Sequence, residues 1–140
     1  MNKNLKVFLM GLATIALVVL AVLLIIAFRN RKQKEENKLY NVMTGVVKDY
    51  YRDYYYPFIL GDDEETRIDK AKSYKTSGIT MSLNDLAKYR VGNEDSILSL
   101  FKNYRTGAPC NYDKTKITIY PIEPYGSEDI RVDANIVCGF

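Results

Sequence analysis

The chain carries two cysteines, Cys110 and Cys138, 28 positions apart. That spacing fits neither a C-x-x-C redox pair nor a zinc-binding cysteine pair. The chemistry open to them is one structural disulfide or two separate thiols. The sequence has no histidine, which removes Ser-His and Cys-His nucleophilic catalysis, the commonest general base and most zinc sites. Carboxylates are left. The run Asp62-Asp63-Glu64-Glu65 places four oxygen-bearing side chains together for a hard cation. It lacks the alternation and the glycine of a calcium loop, and is expected to be a solvated acidic turn. Nothing in the spacing of the 17 acidic residues selects a pair for glycoside hydrolysis. No phosphate-binding loop, nucleophile elbow or thiol beside a base is present. The expectation is a non-enzymatic protein with no catalytic residue, no cofactor and no metal site.

Tyrosine is the other chemically notable residue. Five of the twelve fall in Tyr50-Tyr51-Arg52-Asp53-Tyr54-Tyr55-Tyr56. At about 100° per helical residue they cannot all face one core. Tyr50, Tyr51 and Tyr54 continue an apolar stripe set by Leu39, Met43 and Val46 and widened by Val42 and Val47, so they are expected to be core. Tyr55 and Tyr56 fall towards the flank, where amphipathic rings suit an interface, and are the candidate partner-binding residues. The alternative is that all five only pack within their own domain.

These side chains must be positioned by a small set of elements. From about Asn30 to Tyr56 the pattern is helical, and Pro57 is expected to end it. Residues 57–78 read as a loop, with room for a short helical turn within 61–78. Short helices are expected within 82–104, the first with Ser82 as N-cap and Asp85 as the capping-box acid, and Gly107-Ala108-Pro109 closes the stretch. The period then changes to two. Ile117, Ile119 and Ile122, then Ile130, Val132, Ala134 and Ile136, alternate with polar residues around the turn Pro124-Tyr125-Gly126-Ser127, which predicts an antiparallel hairpin over 115–138. Cys110 precedes its first strand and Cys138 ends its second, so both lie at the same end of the sheet. A bridge there would stabilise a small domain by about 3–4 kcal/mol on the chain-entropy account. Two reduced, buried thiols in a cytoplasmic domain are the other reading.

The apolar residues are concentrated ahead of all this. Residues 7–28 contain no charge, and Thr14 is their only polar side chain. As a helix the stretch spans roughly 33 Å at ~1.5 Å per residue, enough for a bilayer core of about 30 Å. It is longer than a signal peptide's apolar region, and Arg29-Asn30-Arg31-Lys32 follows in place of a small-residue cleavage site. The prediction is one uncleaved, single-pass transmembrane helix at 7–28. It would leave a cytoplasmic N-terminus at 1–6 and an extracytoplasmic α+β domain at 29–140. A positive-inside count alone would put that domain in the cytoplasm, because four basic residues follow the span closely. The short positive start, typical of signal-anchors, and the paired cysteines favour the outside.

The formal charge of +3 belongs to the membrane flank: residues 39–140 carry 13 basic and 15 acidic side chains. Nucleic acid, which needs clustered Lys and Arg on the folded part, is excluded as a partner.

The order of elements resembles type IV pilins and pseudopilins: an apolar helix running into an amphipathic Tyr-rich helix, a loop, and a small sheet closed by cysteines. Ile79-Thr80-Met81-Ser82-Leu83-Asn84-Asp85-Leu86 is similar to the short helix before the sheet in small Gram-positive members. Thr106-Gly107-Ala108-Pro109-Cys110 and Ala134-Asn135-Ile136-Val137-Cys138-Gly139-Phe140 resemble their two cysteine blocks. The chain departs from the family at Lys6-Val7-Phe8-Leu9-Met10-Gly11-Leu12, which lacks the Gly-Phe-Thr-Leu-x-Glu-like cleavage and assembly motif. The resemblance implies a long helix packed on a C-terminal antiparallel sheet. It also implies a structural or interaction role in a cell-envelope, secretion or pilus assembly, with other such subunits or a second copy as partners. A membrane-tethered ligand-binding or regulatory subunit is the alternative.

Overall fold

The computed structural model describes residues 3–90 and 94–139, with side chains from residue 8 onward. The first two residues of the expected N-terminal segment, residues 91–93 of the expected helical stretch 82–104, and Phe140 of the second cysteine block lie outside the described residues. The chain divides into two compact units, Met1–Glu36 and Asn37–Phe140. Helix α1, Lys3–Tyr50, contributes residues to both.

In the first unit, every side chain from Phe8 to Phe28 is exposed, including Met10 at 71% and Leu17 at 65%. The hydroxyl of Thr14 donates to the carbonyl of Gly11 at 2.8 Å, so the one polar side chain of the stretch is satisfied within the helix itself. By length and composition this helix can cross a membrane.

In the second unit α1 becomes one-sided. Leu39, Met43, Val47 and Tyr50 recur at helical spacing and are all buried, while Lys48 and Asp49 on the other side are not. The turns then widen. Residues Tyr51–Ile59 form a π-helix with Pro57 inside it, and the Leu60 N–H donates to the carbonyl of Tyr55, five residues back, at 3.1 Å. In an α-helix the proline ring would press on the carbonyl four residues earlier. The wider π turn moves that carbonyl aside, which is why the winding runs through Pro57 and does not stop at Tyr56.

The expected loop 57–78 contains a second helix, α2, Glu64–Ser73. Asp63 caps it by accepting from the Thr66 N–H at 2.8 Å. Glu64 and Glu65 in its first turn and Lys70 and Lys72 in its last complement the helix dipole. Only Ala71 is buried along it, so it has almost no apolar stripe to announce it.

Three strands form one antiparallel sheet in the order β1-β2-β3: Ile79–Ser82, Lys116–Pro121 and Ile130–Asn135. Ile119 pairs with Ile79 on one side and Val132 on the other, so three apolar residues line up across the inner face. On the outer face the hydroxyls of Thr80 and Thr118 meet at 3.1 Å. Gly78 enters β1 at φ 68°, and a Cβ there would collide with Thr118 and Tyr120. Pro121, not Ile122, takes the third inward position of β2; Ile122 is 47% exposed. The segment Ile79–Ser82, which resembles a helix start in the sequence, is therefore an edge strand. The capping box of Ser82 and Asp85 begins helix α3, Leu83–Ala87, immediately after it. Within the rest of 82–104 one further helix is described, α4, Glu94–Leu98.

Leu39, Met43 and Val47 share one buried cluster with Leu83, Leu86, Phe101, Ile117, Ile119 and Val132. The hydroxyl of Tyr40 donates to the carbonyl of Val132 at 2.6 Å, tying the helix to strand β3. The architecture is α+β: a long N-terminal helix, apolar at its start, and a small three-stranded antiparallel sheet.

Candidate functional site

The two cysteines meet. Cys110 and Cys138 lie at disulfide distance, with Cα atoms 4.2 Å apart. Cys110 is held from the chain before it, donating its N–H to the Phe101 carbonyl at 3.0 Å. The partner segment is held three times over. The Asn111 N–H donates to the Val137 carbonyl at 2.7 Å, the Val137 N–H donates to the hydroxyl of Thr115 at 3.0 Å, and the Asn103 side-chain amide donates to the Gly139 carbonyl. Thr115 and Asn103 are buried polar residues, 0% and 2% exposed, and these bonds are what satisfy them. Asn103 also accepts from the backbone N–H groups of Arg105 and Thr106, shaping the Gly107 turn that returns the chain to Cys110. The end of the sheet where the cysteines stand is thus a fastened terminus, not a reactive thiol site.

The tyrosines form a continuous ring cluster. Tyr50 lies 5.1 Å from Tyr89 edge-on, Tyr51 stacks on Tyr55 at 5.9 Å, and Tyr51 meets Tyr56 at 5.8 Å. The π winding decides which of them are inside. Tyr51, Tyr56 and Leu60, spaced by five and four, are all buried, whereas α spacing would have placed Tyr54 inside. Tyr54 is 37% exposed. Tyr56, expected on the flank, is a core residue at 4% exposure whose hydroxyl donates to Glu64 at 2.7 Å. Burial and that carboxylate push its phenol up to about 12. Tyr55 is half-buried, and burial together with the neighbouring Tyr74 raises its phenol to about 12 as well. Tyr50 and Tyr51 are raised by burial first, then by the adjacent phenols. None of the four is ready to ionise near neutrality. The surface that the sequence assigned to Tyr55 and Tyr56 is presented by Tyr54, Phe58 at 73% exposure and Ile59 at 47%. Tyr54 and Phe58 lie 6.2 Å apart. Their signal in the sequence was an apolar pair, Phe58-Ile59, directly behind a proline; the π winding that turns them outward has no such signature.

Two of the four acidic side chains are engaged locally. Asp63 caps α2, Glu64 takes the Tyr56 hydroxyl and lies 3.6 Å from Arg67, and Arg67 in turn donates to the carbonyls of Gly61 and Asp62. The Thr66 N–H and hydroxyl hold the Asp63 carboxyl below its ordinary range. Among the described residues no group of three or more His, Cys, Asp or Glu is arranged to hold a metal ion.

A shallow concavity of about 380 Å³ lies beside the turn between β2 and β3, lined by Lys75, Tyr120, Ile122, Glu123, Tyr125 and Arg131. The Arg131 guanidinium sits 4.7 Å over the Tyr120 ring.

No protein-family model matches the chain, and neither a curated protein nor a solved structure matches it.

Proposed function

We propose that this is a membrane-anchored, pilin- or pseudopilin-like structural or interaction subunit of a cell-envelope, secretion or pilus assembly. Its α+β domain would lie outside the cytoplasmic membrane. The observation that carries the reading is the order of parts along one chain: a wholly exposed apolar helix, its one-sided continuation against a small antiparallel sheet, and a sheet end fastened by the two cysteines. The reading assigns no catalytic residue. The partner surface is Tyr54, Phe58 and Ile59, whose side chains are exposed beside a packed tyrosine cluster that holds the Tyr54 and Phe58 rings in place. With no acid in residues 7–28, the helix has no prepilin-type glutamate through which to pack.

The second reading, a tethered ligand-binding or regulatory subunit, is favoured by the concavity at Lys75, Tyr120 and Arg131. A photoreactive phenylalanine analogue at Phe58, irradiated in the native envelope, separates the two. The structural reading expects discrete crosslinks to a second copy of this chain or to another envelope protein. Absence of crosslinks from Phe58, with capture from a photoreactive group at Ile122 instead, would replace it by the second reading.

A further inference from the structure

Just past the apolar stretch, α1 carries Arg29, Arg31, Lys32 and Lys34, all exposed. At about 100° per residue they stand at about 0°, 200°, 300° and 140° around the helix axis, leaving no gap wider than about 140°. A helix that offers cations to a protein partner does so as a stripe on one face. Here they form a collar. Along the axis the collar is about 7.5 Å tall at ~1.5 Å per residue. A headgroup layer occupies about 5–7 Å on each side of a bilayer whose core is about 30 Å and whose full thickness is about 40–45 Å.

The acids are displaced from it. Glu35 and Glu36 follow the four cations, and only Lys32 is drawn to one of them, lying 3.8 Å from Glu36 with both side chains about half exposed. An exposed pair at that distance neutralises little. The sequence of characters along the helix is apolar, then basic all round, then acidic.

The geometry points to a lipid-binding collar: Arg29, Arg31, Lys32 and Lys34 gather the phosphates of anionic phospholipids around the helix where it leaves the bilayer. Guanidinium groups take a phosphate bidentately and ammonium groups take it as point charges. An all-round arrangement fits a ligand that arrives from every side. The collar goes beyond the assembly role proposed above, and it rests on that proposal only for the helix crossing the membrane.

The chain has no tryptophan, so Phe28→Trp supplies a single fluorescent reporter beside the collar. The full-length variant is reconstituted into vesicles mixing phosphatidylcholine with phosphatidylglycerol, one or the other brominated in its acyl chains. Quenching gives the relative occupancy of the two lipids around the helix. The collar predicts that phosphatidylglycerol is favoured at least about threefold at low salt, and that the preference falls towards one in about 1 M salt, where the screening length is about 3 Å. Replacing all four cations by Gln in the Phe28→Trp chain should abolish the preference while quenching by both lipids persists. Equal quenching by the two lipids at low salt, with the reporter clearly in contact with acyl chains, would overturn the collar and leave the membrane reading standing. Absence of quenching by either brominated lipid would overturn both.

Discussion

The stretch from Phe8 to Phe28 and the unit from Asn37 onward use the same apolar residue types in opposite ways. In the first, Leu, Val, Ile and Phe are about half to two-thirds exposed all round the helix, and the single hydroxyl is bonded back to its own backbone. In the second, Leu39, Leu83, Phe101, Ile117, Ile119 and Val132 sit at 0–6% exposure in one cluster, and among the polar groups that go inside, Thr115 and Asn103 are bonded to the segment around Cys138. One region exposes its apolar side chains all round, as a helix able to cross a membrane does, and the other buries them. A membrane helix needs only composition and length. The folded unit has a core and, in addition, a fastening at Cys110 and Cys138.

The fastening is where the largest effect is expected. Replacing both Cys110 and Cys138 by Ser should lower the stability of the unit by about 3–4 kcal/mol, read as a drop in thermal midpoint of the full chain in detergent, with its membrane retention unchanged. A loss of membrane retention would mean that the two regions are not independent. The reverse experiment puts an Arg at Val18, in the middle of the apolar stretch. It should cost about 2.5–3.5 kcal/mol of insertion free energy, seen as extraction of the chain by alkaline carbonate, with the thermal midpoint of the folded unit unaltered.

Much of this comparison could be read from the amino-acid sequence, and the parts that could not share a cause. Residues 7–28 announce themselves because a charge-free run of that length and composition can cross a membrane. The β2–β3 pairing was visible in the alternation of Ile117 and Ile119 with Thr118, and of Ile130 and Val132 with Arg131. Strand β1 was hidden because its four residues are strand only through their pairing with β2, while Ser82 and Asp85 spell a helix start one residue later. Tyr54 and Tyr56 exchanged places because a 3.6-residue period was applied where the chain winds as a π-helix to pass Pro57. The cysteine pairing was legible as soon as the hairpin was. The exposed trio Tyr54, Phe58 and Ile59 was not, since it depends on the same winding.

That Ser82–Asp85 junction gives a pH test of smaller size. The Ser82 hydroxyl, then Lys88, then the Ser82 backbone N–H hold the Asp85 carboxyl at about 2. A carboxyl depressed in the folded state adds stability that is complete above its ordinary range near 4 and is lost as the pH falls towards 2. Its side chain is 56% exposed, so the pair with Lys88 adds little and the cap dominates. Asp85→Asn should cost about 1 kcal/mol near neutrality, a cost that shrinks below about pH 4 and vanishes only as the pH falls through about 2, flattening the acid limb of the stability curve. A parallel shift at every pH would contradict it.

Two buried tyrosines give the smallest and most discriminating effect. The Tyr51 hydroxyl is buried with no hydrogen-bond partner, whereas that of Tyr56 is bonded to Glu64. Tyr56→Phe should destabilise by about 1 kcal/mol, and Tyr51→Phe should be neutral or stabilising by a similar amount. Equal losses in urea titrations of the two variants would show that the π winding does not place the rings as described.

The central claim is the placement of the folded unit outside the cytoplasmic membrane, and one cysteine reports on it. Glu65 is exposed in the first turn of α2, two residues past the capping Asp63 and free of that role. A Glu65→Cys chain and the unaltered chain are treated, in intact native cells and after breaking them, with a membrane-impermeant maleimide. The account predicts that the variant labels equally in both conditions and that the unaltered chain, its two cysteines joined, labels in neither. Labelling of the variant only after the cells are broken would place the unit in the cytoplasm and contradict the envelope reading.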